Sequence, residues 1–325
     1  MKLTQHLCAL LASSALALSL NVQAQPIALV SSEKDNAITV INLATLGVQG
    51  IIPTCKRPRH MQLTPDRRQL LVACGNDNTA DVIDIATRKS VGRIPLSDGP
   101  EIFDLSPDGK TLYVSNEDDA ELSVIDVAGK KKLASIKVGK EPEGVKVSHD
   151  GKTVYVASEV ASMVHVIDTE NRKVVNNIAV GKRPRRFALT PDGNELWVTN
   201  ELGASVSIVS TRDMKLIHTL NFEVKGARAS DITPVGITLS ADGKKAFVGL
   251  GRANHVAFID VTSRKVVQQV LVGKRAWSVA LNKTESQLFV VNGLSDDMTV
   301  INVASAKAVK TIPVGRVPHT VVVVD

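Results

Sequence analysis

The chain has 325 residues, with 39 Lys+Arg against 33 Asp+Glu for a net charge of +6. No Pro- or Ser-rich linker and no long charge run divides it, so nothing marks a second domain and one large domain is expected. A pI near 9.2 favours anionic partners, but it bears on association and solubility, not on fold.

Residues 1–24 read as a secretory signal peptide: Lys2 is the only charge, Leu7 to Leu20 is almost wholly Leu, Ala and Ser, and Val22-Gln23-Ala24 supplies a small-residue cleavage pattern. The apolar run is shorter than the roughly 20 residues that cross a bilayer, so no membrane insertion is expected. Cys8 lies at the beginning of the apolar stretch and not at its cleavage end, which argues against a lipoprotein. The mature chain, residues 25–325, is expected in the periplasm as a monomer with 38 Lys+Arg against 33 Asp+Glu, net +5.

Leu29-Val30-Ser31-Ser32 and Val40-Ile41-Asn42 are the first alternating segments, and they match Tyr113 to Asn116 and Val124 to Asp126 at an offset of 84, two periods of the repeat that follows. The repeat is carried by a turn: Thr64-Pro65-Asp66, Ser106-Pro107-Asp108-Gly109, Ser148-His149-Asp150-Gly151, Thr190-Pro191-Asp192-Gly193, Ser240-Ala241-Asp242-Gly243 and Asn282-Lys283-Thr284, at spacings of 42, 42, 42, 50 and 42. Each turn leads into period-2 apolar segments rich in Val and Ile, such as Leu70-Leu71-Val72 and Val82-Ile83-Asp84, the pattern of short antiparallel strands. Four strands per period make a propeller blade. The spacing predicts an all-β, seven-bladed β-propeller of four-stranded antiparallel blades. The N-terminal segment lacks a first strand and His319 to Asp325 matches one, so the ends share the last blade, Thr320 to Val324 pairing with Ile27 to Ser31. The Asp residues of the turns, and those at 84, 126, 168 and 260, are expected to satisfy turn backbone.

Leu112-Tyr113-Val114-Ser115-Asn116 and Leu196-Trp197-Val198-Thr199-Asn200 resemble the repeat of the YVTN β-propellers. Phe222-Glu223-Val224, Pro234-Val235-Gly236-Ile237 and Ala246 to Asn254 are similar to the branch called PQQ-dependent catabolism-associated β-propeller proteins. The resemblance covers essentially the whole mature chain and implies a periplasmic accessory role in quinoprotein alcohol oxidation or its transport. It does not imply that this chain holds the quinone: quinoprotein dehydrogenases are eight-bladed and rich in Trp motifs, whereas this chain has two Trp. No cofactor is expected.

Function in a repeat is sought where equivalent positions differ. The connection from one blade's outer strand to the next blade's inner strand runs beside the channel mouth. Its position after the Pro reads Arg59, Glu101, Glu143, Arg185, Val235, Trp277 and His319; two residues earlier it reads Arg57, Gly99, Glu141, Arg183, Thr233, Arg275 and Val317. The loop between second and third strands adds Glu33, Glu117, Glu159 and Glu201 on the same face, with Asn116, Asn200 and Asn292 just before. With His60, this set suits a partner protein or a small polar ligand. The alternative is that the charges pair with one another around a solvated rim. The extra eight residues around Asn221 to Thr233 are expected to hang over the mouth.

No His-x-His, Cys-x-x-Cys or His-Glu-x-x-His supports a metal site, and no Gly-x-Ser-x-Gly elbow appears, so neither metal nor catalytic residues are assigned. A ring-carboxylate hydrolase of lactonase type is the alternative. Single-stranded nucleic acid is a further one, carried by the Arg residues and Trp277, but Glu101, Glu141 and Glu143 interrupt the basic surface. Cys55 and Cys74 fall on the mouth face, a disulfide candidate in an oxidising compartment.

Overall fold

The computed structural model describes residues 25–325; the signal-peptide reading of residues 1–24 lies outside the described residues. Seven four-stranded antiparallel sheets are arranged as blades, with no helix among the described residues long and apolar enough to cross a membrane. Blades 1 to 6 begin, innermost, at Pro58–Leu63, Pro100–Leu105, Pro142–Val147, Pro184–Leu189, Ile237–Leu239 and Ala276–Leu281. Blade 7 is composite: Pro318–Val324 supplies its inner strand, and Ile27–Ser32, Ala37–Asn42 and Gly47–Pro53 the other three. Its register runs Ile27 to Val324, Leu29 to Val322 and Val30 to Val321, as the repeat count predicts.

The core is distributed around the ring. Alternating Val, Ile and Leu project from both faces of each sheet and meet those of the neighbouring blade, giving seven apolar clusters for seven blade interfaces. Leu71, Ala73, Phe103 and Val114, for example, fill the space between blades 1 and 2. The Pro-Asp-Gly turns are local devices: Asp108 Oδ1 accepts from Ser106 Oγ at 2.6 Å and from Lys110 N at 3.1 Å, and its copies do the same. At strand ends, Asp84 and Asp260 accept from the backbone N–H three residues on, both at 2.7 Å.

The insertion between blades 4 and 5 departs from expectation. Instead of hanging over the mouth it folds onto the blade 4–5 interface, because Phe222, Val224 and Ile232 bury there beside Trp197 and Leu250. None of its residues lines the mouth cavity. Its apolar side chains gain more from the core than from a solvated opening.

Cys55 and Cys74 form a disulfide, with Cα atoms 5.6 Å apart, that ties the blade 7–1 connection to the second strand of blade 1. Both residues are buried. The bond closes a loop of sequence separation 19. Its removal is expected to lower the unfolding free energy by roughly 3 kcal/mol, read from denaturant titrations with and without reductant. Coincident curves would show that the bond contributes nothing to stability.

Candidate ligand-binding site at the channel mouth

The local backbone explains why one ring of side chains reaches the channel. In blades 1 to 4 the ladder between first and second strands slips by one residue just after the Pro, between Pro58 and Met61, Pro100 and Phe103, Pro142 and Val145, and Pro184 and Phe187. Such bulges re-aim a side chain at a sheet rim. The slipped residues include Arg59, Glu101, Glu143 and Arg185; similar slips bracket Trp277 in blade 6 and His319 in blade 7. Hydroxyls of the repeat hold these residues from the preceding blade: Ser31 donates to the Arg59 carbonyl at 2.7 Å, Ser115 to that of Glu143 at 2.6 Å and Thr199 to that of Val235 at 2.8 Å. Two residues upstream, Arg57, Glu141, Arg183, Arg275 and Val317 all have φ between 50° and 63°, the left-handed region that costs energy without glycine.

These segments enclose a mouth cavity of about 330 Å³. Arg57, Arg59, Glu101, Glu117, Glu143, Arg183, Arg185, Glu201, Arg275 and Trp277 all line it, and Glu33 joins them. Asn116, Asn200 and Asn292 do not line it. Asn200 and Asn292 instead donate to hydroxyls of their own hairpins, Ser207 at 3.0 Å and Thr299 at 2.9 Å.

Most of the mouth charges are paired. Arg57 Nε lies 3.1 Å from Glu33, and Arg59 contacts Glu101. Arg183 reaches Glu159 at 2.8 Å and Glu201 at 3.0 Å. Arg185, 5% exposed, contacts Glu159 and lies 3.3 Å from Glu143, which also takes Arg186. The expected alternative of mutual pairing therefore holds for these residues. Arg275 is the exception: among the described residues no carboxylate lies within ion-pair range of it, and its guanidinium lies 4.0 Å from the Trp277 ring centroid. Trp277 also has Arg185 at 5.1 Å. On blade 2, across the ring, Glu117 is likewise outside any ion pair among the described residues.

Burial sets the protonation of the carboxyls. Burial and then the Glu143 charge push Glu101 up to about 9, against the pull of Arg59. Burial pushes Glu159 up to about 7, Arg185 opposing and Glu143 reinforcing it. Burial also opposes ionisation of Glu143, but Arg185, Arg186 and Arg59 outweigh it and hold Glu143 well below the usual carboxylate range.

His60 and His319 are placed differently from the expectation that they flank the mouth. Neither lines the mouth cavity; both line a compartment one tier deeper in the channel. For His60 the reason is the bulge, which puts the residue after Arg59 on the inner tier together with Arg186. Arg186 was legible only as one member of a basic set, because a one-residue ladder slip leaves no mark in an alternating pattern.

Two family models match: YNCE-like beta-propeller over residues 66–147, and Lactonase, 7-bladed beta-propeller, over residues 170–323. Both are β-propeller families, in keeping with the seven blades observed. No relative is found among curated proteins. Solved structures share the fold: hydrazine synthase from Kuenenia stuttgartiensis is 25% identical with a TM-score of 0.77, covering 85% of this chain and 92% of its own. A functionally unknown protein from Desulfotomaculum acetoxidans is 19% identical with a TM-score of 0.77, covering 91% and 98%. A protein from Lactobacillus plantarum is 15% identical with a TM-score of 0.78, covering 93% and 99%.

Proposed function

We propose that this chain is a non-catalytic binding propeller that holds a small polar ligand, by an anionic group, in its channel mouth. We further propose that it acts in the periplasm, accessory to quinoprotein alcohol oxidation or its transport; this finer part rests on the signal-like residues 1–24 and on the resemblance carried by Phe222 to Asn254. The observation that carries the binding reading is Arg275, stacked on Trp277 and outside any ion pair among the described residues, in a cavity whose other arginines are engaged. Stacking fixes the guanidinium plane and leaves its fork available to a carboxylate. Glu117, which lines the same cavity and is in no ion pair among the described residues, suits a hydroxyl or amine at the ligand's other end. Calorimetric titration with a panel of small hydroxy and amino acids tests this: one class should bind, and Arg275→Gln should weaken it roughly tenfold or more with an unchanged melting temperature. Undiminished binding by Arg275→Gln would sink the reading.

A second reading, hydrolysis of a lactone, is favoured by the lactonase match over residues 170–323, which includes Arg185, Glu201, Arg275 and Trp277. Glu159, pushed up to about 7, has the affinity for a proton that a general acid–base needs at neutral pH. Among the described residues no group of three or more His, Cys, Asp or Glu is placed to hold a metal ion. Lactone turnover abolished by Glu159→Gln would make this the better reading.

A further inference from the structure

Beneath the mouth lies a second compartment of about 210 Å³, walled by His60, Arg186, Trp277, Ser278, His319 and Thr320 together with apolar residues of the inner strands. It differs from the mouth in one respect that decides its chemistry. The mouth walls carry as many glutamates as arginines, whereas no carboxylate lines the inner compartment. Its polar groups are one cation, two imidazoles, an indole N–H and two hydroxyls.

Two of these groups are buried and unpartnered. His319 is 2% exposed and Trp277 7%; Nε2 of the first and Nε1 of the second make no hydrogen bond. An indole N–H can only donate. Left without an acceptor inside a protein, such a group destabilises the fold. His319 Nδ1 is engaged by Thr320 Oγ1 at 2.9 Å, so Nε2 is the nitrogen left for a ligand. The neighbours that act on His319 itself share one sense: after burial, Arg59, Arg186, His60 and Arg185 hold it neutral, well below the usual histidine range. For His60, burial and then Arg186 lower it to about 3, with Lys146 in the same sense and Asp104 and Glu143 opposing. Arg186 spends one nitrogen on Glu143 and retains other donors.

We infer that this inner compartment is an oxyanion-binding site, in which Trp277 Nε1–H, Arg186 and His319 hold a carboxylate or phosphate-type group. It is a site separate from the Arg275 fork and stands whether or not the mouth reading is right. The group has two possible sources, a free inorganic oxyanion or the acid end of a longer molecule that passes Trp277 from the mouth.

The test is calorimetric titration of the intact protein with inorganic phosphate, sulfate, acetate and a longer dicarboxylate, with chloride at matched ionic strength as control. Trp277→Phe keeps an aromatic face beneath Arg275 and removes the N–H together with the indole's five-membered ring. His319→Leu removes Nε2 together with the Nδ1 contact to Thr320 Oγ1, so its melting temperature is measured alongside its binding to show that the variant is folded. The expected result is oxyanion binding weakened roughly tenfold or more in both variants, since a hydrogen bond to a charged group contributes about 1.5–3 kcal/mol. A free oxyanion is indicated if phosphate, sulfate or acetate binds alone and Arg275→Gln leaves that binding unchanged. The acid end of a longer molecule is indicated if only the dicarboxylate binds and Arg275→Gln weakens it too. Sulfate and phosphate also stabilise proteins by exclusion from their surfaces, so a thermal shift counts only where the variants lose it. No binding by any of these anions, binding equal to chloride, or binding undiminished in Trp277→Phe and His319→Leu would each overturn the inference.

Discussion

Deletion of residues 318–325 is expected to leave the chain unable to reach a stable folded state. The segment is the inner strand of blade 7, paired along Ile27 to Ser32. It also places Val321 in the blade 6–7 core with Val323 packed against it, and packs Val322 and Val324 against the blade 7–1 core. Burying a valine side chain contributes about 1.5 kcal/mol or more, so four of them, some only half-buried, stand for on the order of 5 kcal/mol. That is comparable to the whole stability of an ordinary domain, about 5–15 kcal/mol. The deletion would also open the Ile27–Ser32 edge to pairing with other chains. Circular dichroism melting and size-exclusion chromatography read both effects: loss of the cooperative transition and a shift to aggregates. A truncated chain that melts like the intact protein would show that the ring does not depend on this closure. A circular permutant that joins Asp325 to Gln25 and opens the chain in an exposed loop should fold, because the closing pair Ile27 and Val324 already places those ends side by side.

The second large effect separates two glutamates that look alike in sequence. Glu143→Gln is expected to cost about 3–5 kcal/mol, the penalty for breaking a buried ion pair by removing one partner, because Glu143 is 3% exposed and neutralises Arg185 and Arg186 together. Glu101→Gln is expected to be nearly neutral at pH 7, since a carboxyl pushed up to about 9 is already protonated there and Gln is close to its shape. The pH dependence gives an independent check. A carboxyl raised in the folded state binds its proton more tightly there than in the unfolded chain, so its contribution is complete below the unfolded value of 4.5 and lost as pH rises through about 9. Wild type should therefore lose stability relative to Glu101→Gln across that window. Glu143 has the opposite sign: its contribution is present above 4.5 and is lost only in strong acid. Denaturant titrations of both variants at several pH values measure this directly. If Glu101→Gln costs as much as Glu143→Gln at pH 7, Glu101 is ionised and its contact with Arg59 acts as a second buried ion pair.

The mouth was legible because a repeat supplies its own internal control. Positions such as Arg59, Glu101, Glu143, Arg185 and Trp277 share one structural role, and they differ where simple structural repetition would have kept them alike. Most of them line the mouth cavity. The tier of His60 and His319 was not legible, nor was the unpaired state of Arg275, because both follow from bulges and contacts between different blades.

What the sequence by itself determined is whatever repeats locally: turn chemistry at a spacing of 42, period-2 strands, seven blades, and a final blade built from both ends. Strand alternation and turn residues act over a few neighbours, so they can be read along the chain. Only the tertiary structure decided which arginine meets which glutamate, that Cys55 reaches Cys74, that the insertion buries Phe222 and Ile232, and that the channel has a charge-balanced mouth above a compartment that no carboxylate lines. Those outcomes join residues from different strands and blades, such as Arg59 and Glu101, and their energies depend on burial and distance, which one-dimensional spacing does not contain.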